Sequence, residues 1–271
     1  MTKPINKSKV GGKFKNRVLR TIHPVVLKLL SSARKCELEA QGTVPEAEPC
    51  IFVANHFGVN DAPVTAEVVK RHVYVLVSDV DKKTAGGLAF DLNGVIWIHR
   101  TDKADRQRAH DDIVAHLKAG HSILMYPEAT WNLTAELPML QMNWGVIKIA
   151  RETGVPICPI YNLFTEKTCY SKIGEPFIPT GNDAEDIYTL RDRMAALFWD
   201  LIEARPVGKR EDVRPDELEI SINERYDEYA RARKNREGVR RYEAQFIYRP
   251  KGIAYPDEVF APIDALAKKN N

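Results

Sequence analysis

Between residues 36 and 177 the sequence alternates two periodicities, and this constrains the fold more than any other feature. Short apolar, β-branched runs occupy residues 50–54, 73–77, 95–99, 122–126 and 157–164. Stretches of helical spacing lie between them, at residues 59–70, 83–93, 103–119 and 143–153. Runs this short and uniformly apolar suit strands buried on both faces, and strands joined by helix-length connections pair in parallel. The expected fold class is therefore α/β: a mostly parallel sheet covered by helices on both faces. Gly120 and Gly154 fall just past two of the helical stretches, where a left-handed C-cap is needed. Residues 36–42 and 168–177 are candidates for outer strands. A strongly amphipathic helix follows, with Leu190, Met194, Leu197, Phe198 and Leu201 on one stripe.

The ends of the chain differ from this body. Residues 1–36 hold ten Lys and Arg and no acid, a charge of +10 in a chain whose total is +3, so the remainder carries −7. Phe14, Val18, Ile22, Val25, Leu29 and Ala33 recur in this arm at steps of three and four, and Lys and Arg fill the opposite face. Pro24 interrupts the pattern and suits the first position of a new helix, so two short amphipathic helices are expected. Two readings of the arm stay open. Its stripe packs on the protein's own core, or it lies flat in the interface of an anionic membrane, which the absence of acid favours. From residue 205 the composition turns to mixed charge with Tyr and Arg, read as a mainly helical C-terminal extension. The expected organisation is a membrane-associating arm over residues 1–36, a catalytic domain over 37–204, and the extension over 205–271.

Several classes are excluded by what is missing. No apolar run approaches the roughly 20 residues of a membrane-spanning helix. Cys36, Cys50, Cys158 and Cys169 have no CxxC spacing and read as small buried hydrophobes in a reducing compartment. The arm has no continuous apolar core of the signal-peptide kind, so a cytoplasmic protein is expected, peripheral on the inner face of the membrane. Neither a G-x-S-x-G elbow nor a Gly-rich phosphate loop is present. The aliphatic stripe of the arm suits lipid better than nucleic acid.

The chemistry gathers at strand ends. Residues 51–56 read Ile-Phe-Val-Ala-Asn-His, so a buried strand ends on Asn55 and His56, and Asp61 follows five residues later. In parallel-sheet proteins ligands bind beyond the carboxyl ends of the strands. A carboxylate beside an imidazole fixes its tautomer and raises its basicity, so His56 and Asp61 are a candidate general base and its partner. A second strand ends in Tyr126, Pro127, Glu128, Ala129, Thr130, Trp131 and Asn132. A third runs from Gly94 to Arg100, and Val155 to Ile160 carries two prolines around a further strand. Three strand ends thus deliver a His/Asp pair, an Arg and a Glu/Thr pair to one rim.

These four segments resemble, in order and spacing, the motifs of the glycerolipid acyltransferases, which acylate glycerol 3-phosphate or lysophosphatidic acid. The first motif, N-H-x4-D, is matched by Asn55, His56 and Asp61. The second, G-x-I-[FW]-I-x-R, is matched by Gly94 to Arg100. The third, [FY]-P-E-G-T-R-S, is matched by Tyr126, Pro127, Glu128 and Thr130, and the fourth, V-P-I-x-P-[IV], by Val155 to Ile160. The resemblance covers about residues 20 to 200. It implies acyl transfer from an acyl thioester, acyl-CoA or acyl carrier protein, to the hydroxyl of a lipid or other alcohol acceptor, with no metal and no cofactor beyond that co-substrate. By the same resemblance His56 deprotonates the acceptor and Asp61 orients His56. Backbone amides around Ala129 and Thr130 are candidate oxyanion donors, Glu128 and Thr130 organise the acceptor, and Arg100 holds an acceptor phosphate. An amphipathic N-terminal helix pair that dips into the bilayer is also common in the family.

Two departures bear on the acceptor. Ala129 stands where the family has glycine, and Trp131 where it has an arginine that helps bind phosphate, with Asn132 following in place of serine. An indole removes that cation and offers one N–H and a stacking face. An uncharged acceptor, a sugar or a glycolipid, is therefore the alternative to a glycerophosphate-type lipid, and a non-catalytic lipid-binding protein that keeps the fold is the alternative to an enzyme. The remaining histidines are expected to play no part. His110-Asp111 sits mid-helix, His116 and His121 are expected at the surface or in a loop, His72 precedes a strand, and His99 offers only a weak role beside Arg100.

Overall fold

The computed structural model describes residues 13–205 apart from 33–35, 47–48, 59, 80–84, 133–137 and 166. The beginning of the basic arm and nearly all of the expected C-terminal extension lie outside the described residues. The elements in chain order are α1 (Lys13–Ser32), β1 (Glu37–Gln41), β2 (Ile51–Ala54), α2 (Asp61–Val69), β3 (Tyr74–Ser78), α3 (Ala85–Asn93), β4 (Val95–Ile98), α4 (Lys103–Lys118), β5 (Ile123–Met125), α5 (Gly145–Thr153), β6 (Ile157–Phe164), β7 (Thr168–Ile173) and α6 (Asp183–Glu203).

One sheet joins all seven strands in the order β1-β7-β6-β2-β5-β3-β4. Strands β2 to β6 are mutually parallel. β7 runs antiparallel to β6, and β1 pairs parallel with β7. The two candidate outer strands are thus real and carry the reversed direction. Period-two alternation decides which side chain meets which layer. Ile51, Val53, Ile123, Met125 and Ile157 share one core with Ile113 and Leu117 of α4, Ile147 of α5, and Leu190 and Met194 of α6. Phe52, Ala54, Leu124, Cys158 and Ile160 share the other with Val64 and Val68 of α2. Both faces are covered, which is why the central strands read as continuous apolar runs. Cys50, Cys158 and Cys169 are buried in this way, whereas Cys36 is only half-buried.

Local signals set the helix ends. Asp102 caps α4 by accepting from the backbone N–H of Ala104 at 2.8 Å and of Asp105 at 3.4 Å. Asn182 caps α6, and Gly154 ends α5 in the left-handed region at φ 67°.

The expected break at Pro24 does not occur: α1 is a single helix with Pro24 inside it. Pro24 lies on the exposed side, so its missing N–H falls away from the core, while Leu19 and His23 anchor the opposite side. The same helix exposes Arg17, Val18, Arg20, Val25 and Lys28. Core packing and a basic, partly apolar outer face therefore coexist on one helix. No described helix is long and apolar enough to cross a membrane.

His116 is unlike expectation, being buried on a helix, and His121 lies in the loop after α4 as expected but is buried as well. His116 sits on the inward face of α4 with its ring 3.9 Å from that of Tyr74, and the tight turn after α4 folds His121 back to 3.2 Å from it, Nδ1 to Nδ1. His72 packs edge-on to Tyr74 and to His23, so four histidines meet where α1 docks. His110 is half-buried mid-helix in α4, between Asp111 and Glu152.

Candidate active site

The adjacency of β2 and β5 places the segments after their carboxyl ends side by side. Asn55 continues the pairing of β2 with β6 by one residue, using its side chain as a substitute peptide. Its Oδ1 accepts the N–H of Asn162 at 2.7 Å and its Nδ2 donates to the Asn162 carbonyl at 3.0 Å. The main chain is thereby released from the sheet at His56 without leaving the ladder unpaired. Asn55 is 3% exposed, so its amide serves the scaffold.

From His56 the chain turns through residues 57–60 into α2, whose first residue is Asp61. This geometry is local and follows from the five-residue spacing. Asp61 Oδ2 accepts from His56 Nδ1 at 2.8 Å, from the N–H of Gly58 at 2.8 Å, and from the N–H of Phe57. Three donors on one oxygen stabilise negative charge in a residue that is 1% exposed. With Nδ1 donating to Asp61, Nε2 is the basic nitrogen of the imidazole. The His56 side chain keeps 19% of its surface, so the imidazole is partly open at the rim.

The ring of His56 is held on its flanks by two aromatic residues. Tyr126 stacks on it at 4.7 Å and 30°, and Trp131 meets it edge-on at 6.2 Å. The Tyr126 hydroxyl donates to Thr65 Oγ1 at 3.2 Å, and burial together with the charge of Asp61 pushes its pKa well above the usual phenol value. Trp131 is 5% exposed, so the indole at the arginine position is a wall beside His56.

Glu128 is fully buried, and each of its oxygens is committed to a backbone N–H. Oε1 accepts from His56 at 2.8 Å and Oε2 from Leu140 at 2.8 Å. Burial raises its pKa to about 8, against the opposing effect of the two N–H donors. It therefore ties three loops together and does not present its carboxylate to the rim. Asn132 adds a further tie through its N–H to the His56 carbonyl at 2.5 Å.

Ala129 occupies the left-handed region at φ 58°, the conformation that a glycine adopts freely. Its N–H is spent on the Tyr126 carbonyl at 3.0 Å, so it is closed to an oxyanion. Thr130 is buried at 8% exposure. Arg100 reaches the rim from β4, two strands away from β5. Its exposed guanidinium donates to the Ala129 carbonyl, and Arg106 donates to the Arg100 carbonyl at 2.7 Å. His99 turns away to pair with Asp79 at 2.8 Å.

Sequence reasoning missed Thr65 and Asn162. Asn162 Nδ2 donates to Thr65 Oγ1 at 2.8 Å, and Asn162 Oδ1 accepts from the Ser171 hydroxyl at 2.6 Å. A signal existed: Asn162 is a polar residue inside an apolar run, and Thr65 lies one helical turn after Asp61. Among the described residues no group of three His, Cys, Asp or Glu is placed to hold a metal ion.

Residues 35–162 match the family model described as Acyltransferase. The 1-acyl-sn-glycerol-3-phosphate acyltransferase BAT2, chloroplastic, of Brassica napus is 24% identical over 174 residues, covering 62% of this chain and 47% of the relative. The 1-acyl-sn-glycerol-3-phosphate acyltransferase beta of Homo sapiens is 27% identical over 161 residues, covering 54% of this chain and 57% of the relative. The chain thus spans about half the length of the curated relatives it matches. Among solved structures, the 1-acyl-sn-glycerophosphate (LPA) acyltransferase PlsC of Thermotoga maritima shares the fold, with a TM-score of 0.56 and 20% identity over 74% of this chain and 88% of that one. With its motifs assembled along one sheet edge and its matches concentrated in that region, this chain carries an acyltransferase-type domain over residues 35–162 and is similar there to the 1-acyl-sn-glycerol-3-phosphate acyltransferases.

Proposed function

We propose that the protein transfers an acyl chain from an acyl thioester, acyl-CoA or acyl carrier protein, to a hydroxyl of a glycerophosphate-type lipid acceptor. His56 Nε2 takes the proton of the acceptor hydroxyl while Asp61 stabilises the imidazolium that forms. The oxygen attacks the thioester carbonyl, a C–O bond forms, the C–S bond breaks, and the imidazolium returns its proton to the departing sulfur. Chemistry of this kind needs neither a covalent acyl-enzyme nor a metal. Arg100 on the rim holds the acceptor phosphate by charge-assisted bonds. The outer face of α1 rests on an anionic membrane on the cytoplasmic side, which brings the lipid acceptor to the rim.

The observation that supports this reading most is the 2.8 Å contact between a nearly inaccessible Asp61 and a partly accessible His56 at the carboxyl edge of a parallel sheet. The test is release of free thiol from acyl-CoA and acyl-loaded carrier protein across an acceptor panel of glycerol 3-phosphate, lysophosphatidic acid, monoacylglycerol and glycolipids. Thiol release with lysophosphatidic acid is expected. Its absence with every acceptor would overturn the reading in favour of a non-catalytic lipid-binding protein.

A second reading has its own observation. Trp131 is a buried apolar wall beside His56, where an arginine would have offered charge. That favours an uncharged acceptor, a glycolipid or sugar. Monoacylglycerol or glycolipid outperforming lysophosphatidic acid in the same panel, with Arg100→Ala leaving the acceptor KM unchanged, would decide for it.

A further inference from the structure

Tyr126 packs on the Asp61–His56 pair, and the anchor of its own side chain, Thr65, lies outside every motif. Its ring covers one face of the His56 imidazole at 4.7 Å, and its hydroxyl reaches Thr65 Oγ1 at 3.2 Å. Thr65 is 0% exposed and sits one turn beyond Asp61 on α2. The same Oγ1 accepts Asn162 Nδ2 at 2.8 Å, and Asn162 Oδ1 is fixed in turn by the Ser171 hydroxyl at 2.6 Å. Asn162 is 1% exposed and Ser171 0%. Four polar side chains from α2, β6, β7 and the loop after β5 thus form one buried chain that ends on the face of the base.

We infer that Thr65 is a positioning residue for the reaction, and that the chain Ser171–Asn162–Thr65–Tyr126 fixes the plane of the His56 imidazole relative to Asp61. The physical reason lies in what the Asp61 contact leaves undetermined. One hydrogen bond through Nδ1 fixes the position of that nitrogen but allows the ring to rotate about the bond, which swings Nε2 through an arc. A stacked ring removes that rotation, provided the stacking partner is itself held. Tyr126 hangs from the end of a short strand, and the Thr65 hydroxyl is the contact that holds its outer end. Thr65 also stands on the helix that carries Asp61, so the carboxylate and the stacking ring move as one unit. Misplacement of a base by a fraction of an ångström is enough to lower the rate of proton transfer without changing ground-state binding.

This inference rests on the reading of His56 as general base, and the test separates the two. Thr65→Val removes the hydroxyl at constant shape, Thr65→Ser keeps it, and Tyr126→Phe removes the other end of the same contact. Each is assayed by thiol release beside His56→Ala in the full chain. The expected result is that Thr65→Val lowers kcat about tenfold with the acceptor KM unchanged. Thr65→Ser should recover most of that loss. Thr65→Val combined with Tyr126→Phe should be no worse than the poorer single variant, because both remove one contact. A Thr65→Val protein with a lowered melting temperature but wild-type kcat would overturn the inference, as would fully multiplicative losses in the double variant. If His56→Ala retains turnover, the general-base reading itself fails, whatever Thr65 does.

Discussion

The carboxylate of Glu128 bridges His56 and Leu140, one oxygen on each backbone N–H at 2.8 Å, at 3% exposure. Burial raises its pKa to about 8 from an unperturbed 4.5. Between those values the native protein holds a proton that the unfolded chain has released, so this contribution to stability is complete below pH 4.5 and falls away as pH rises towards 8. The slope is at most about 1.4 kcal/mol per pH unit. Glu128→Gln cannot titrate. It should carry a constant penalty from turning an NH2 group towards a backbone N–H, and lose that slope. Chemical denaturation of both proteins from pH 5 to 8 checks this, and parallel curves would contradict it.

The opposite limb comes from the histidines under α1. His72 donates to the Asn93 carbonyl at 2.5 Å, and burial lowers its pKa to about 4. His23, bonded to Asn93 Oδ1 at 2.8 Å, is lowered for the same reason. Arg20 lies near enough to His72 to add to the shift. A depressed histidine contributes stability that is present above its unfolded value near 6.5 and is lost as pH falls towards 4. Between pH 7 and pH 4.5 this loss opposes the gain from Glu128, so it is read against a variant in which His72 does not titrate. As pH falls, the melting temperature of the wild type should drop relative to that of His72→Gln, which keeps a donor.

Asp61 and His56 carry the chemistry in the reading proposed. His56→Ala should lower kcat by about 10³-fold or more, and Asp61→Asn by about 10²- to 10³-fold, both with small changes in acceptor KM. Steady-state thiol release with the wild type as reference measures each. A His56→Ala protein within tenfold of wild type would remove His56 from the mechanism.

Ala129 pays for its conformation. At φ 58° an alanine sits about 1–2 kcal/mol above a glycine in the same place, and glycine returns about 0.4–1 kcal/mol of that through its freer unfolded chain. Ala129→Gly should therefore stabilise the protein by up to about 1.6 kcal/mol. Ala129→Val should destabilise it, since a β-branched side chain tolerates this region least. Denaturation midpoints decide.

The basic helix can be tested without dismantling the fold. Because Leu19 and His23 of α1 are buried, removing residues 1–36 would strip part of the core along with the charges. Arg17→Glu with Lys28→Glu alters only exposed positions. Flotation with anionic vesicles at low salt should drop several-fold, and the difference should shrink as salt screens the charges. Equal flotation of both proteins would leave α1 as a packing element.

Sequence alone determined whatever is encoded within a few residues. The apolar runs and helical stretches set the layers, because periodicity and burial on both faces are local properties of each segment. The Asn55-His56-x4-Asp61 spacing set the contact between His56 and Asp61, because a five-residue turn into a helix start holds both ends. The tertiary structure decided what depends on strand order. β5 lies against β2, so Glu128 ties down a residue 72 positions earlier, and Asn55 pairs with a residue 107 positions later. No window of the sequence shows such contacts, and without them Asn162 and Thr65 read as ordinary polar residues. The same holds for Pro24, His116 and His121. Their local pattern suggested a helix break and a surface or loop, whereas the docking of α1 and the inward face of α4 gave an unbroken helix and a buried histidine cluster.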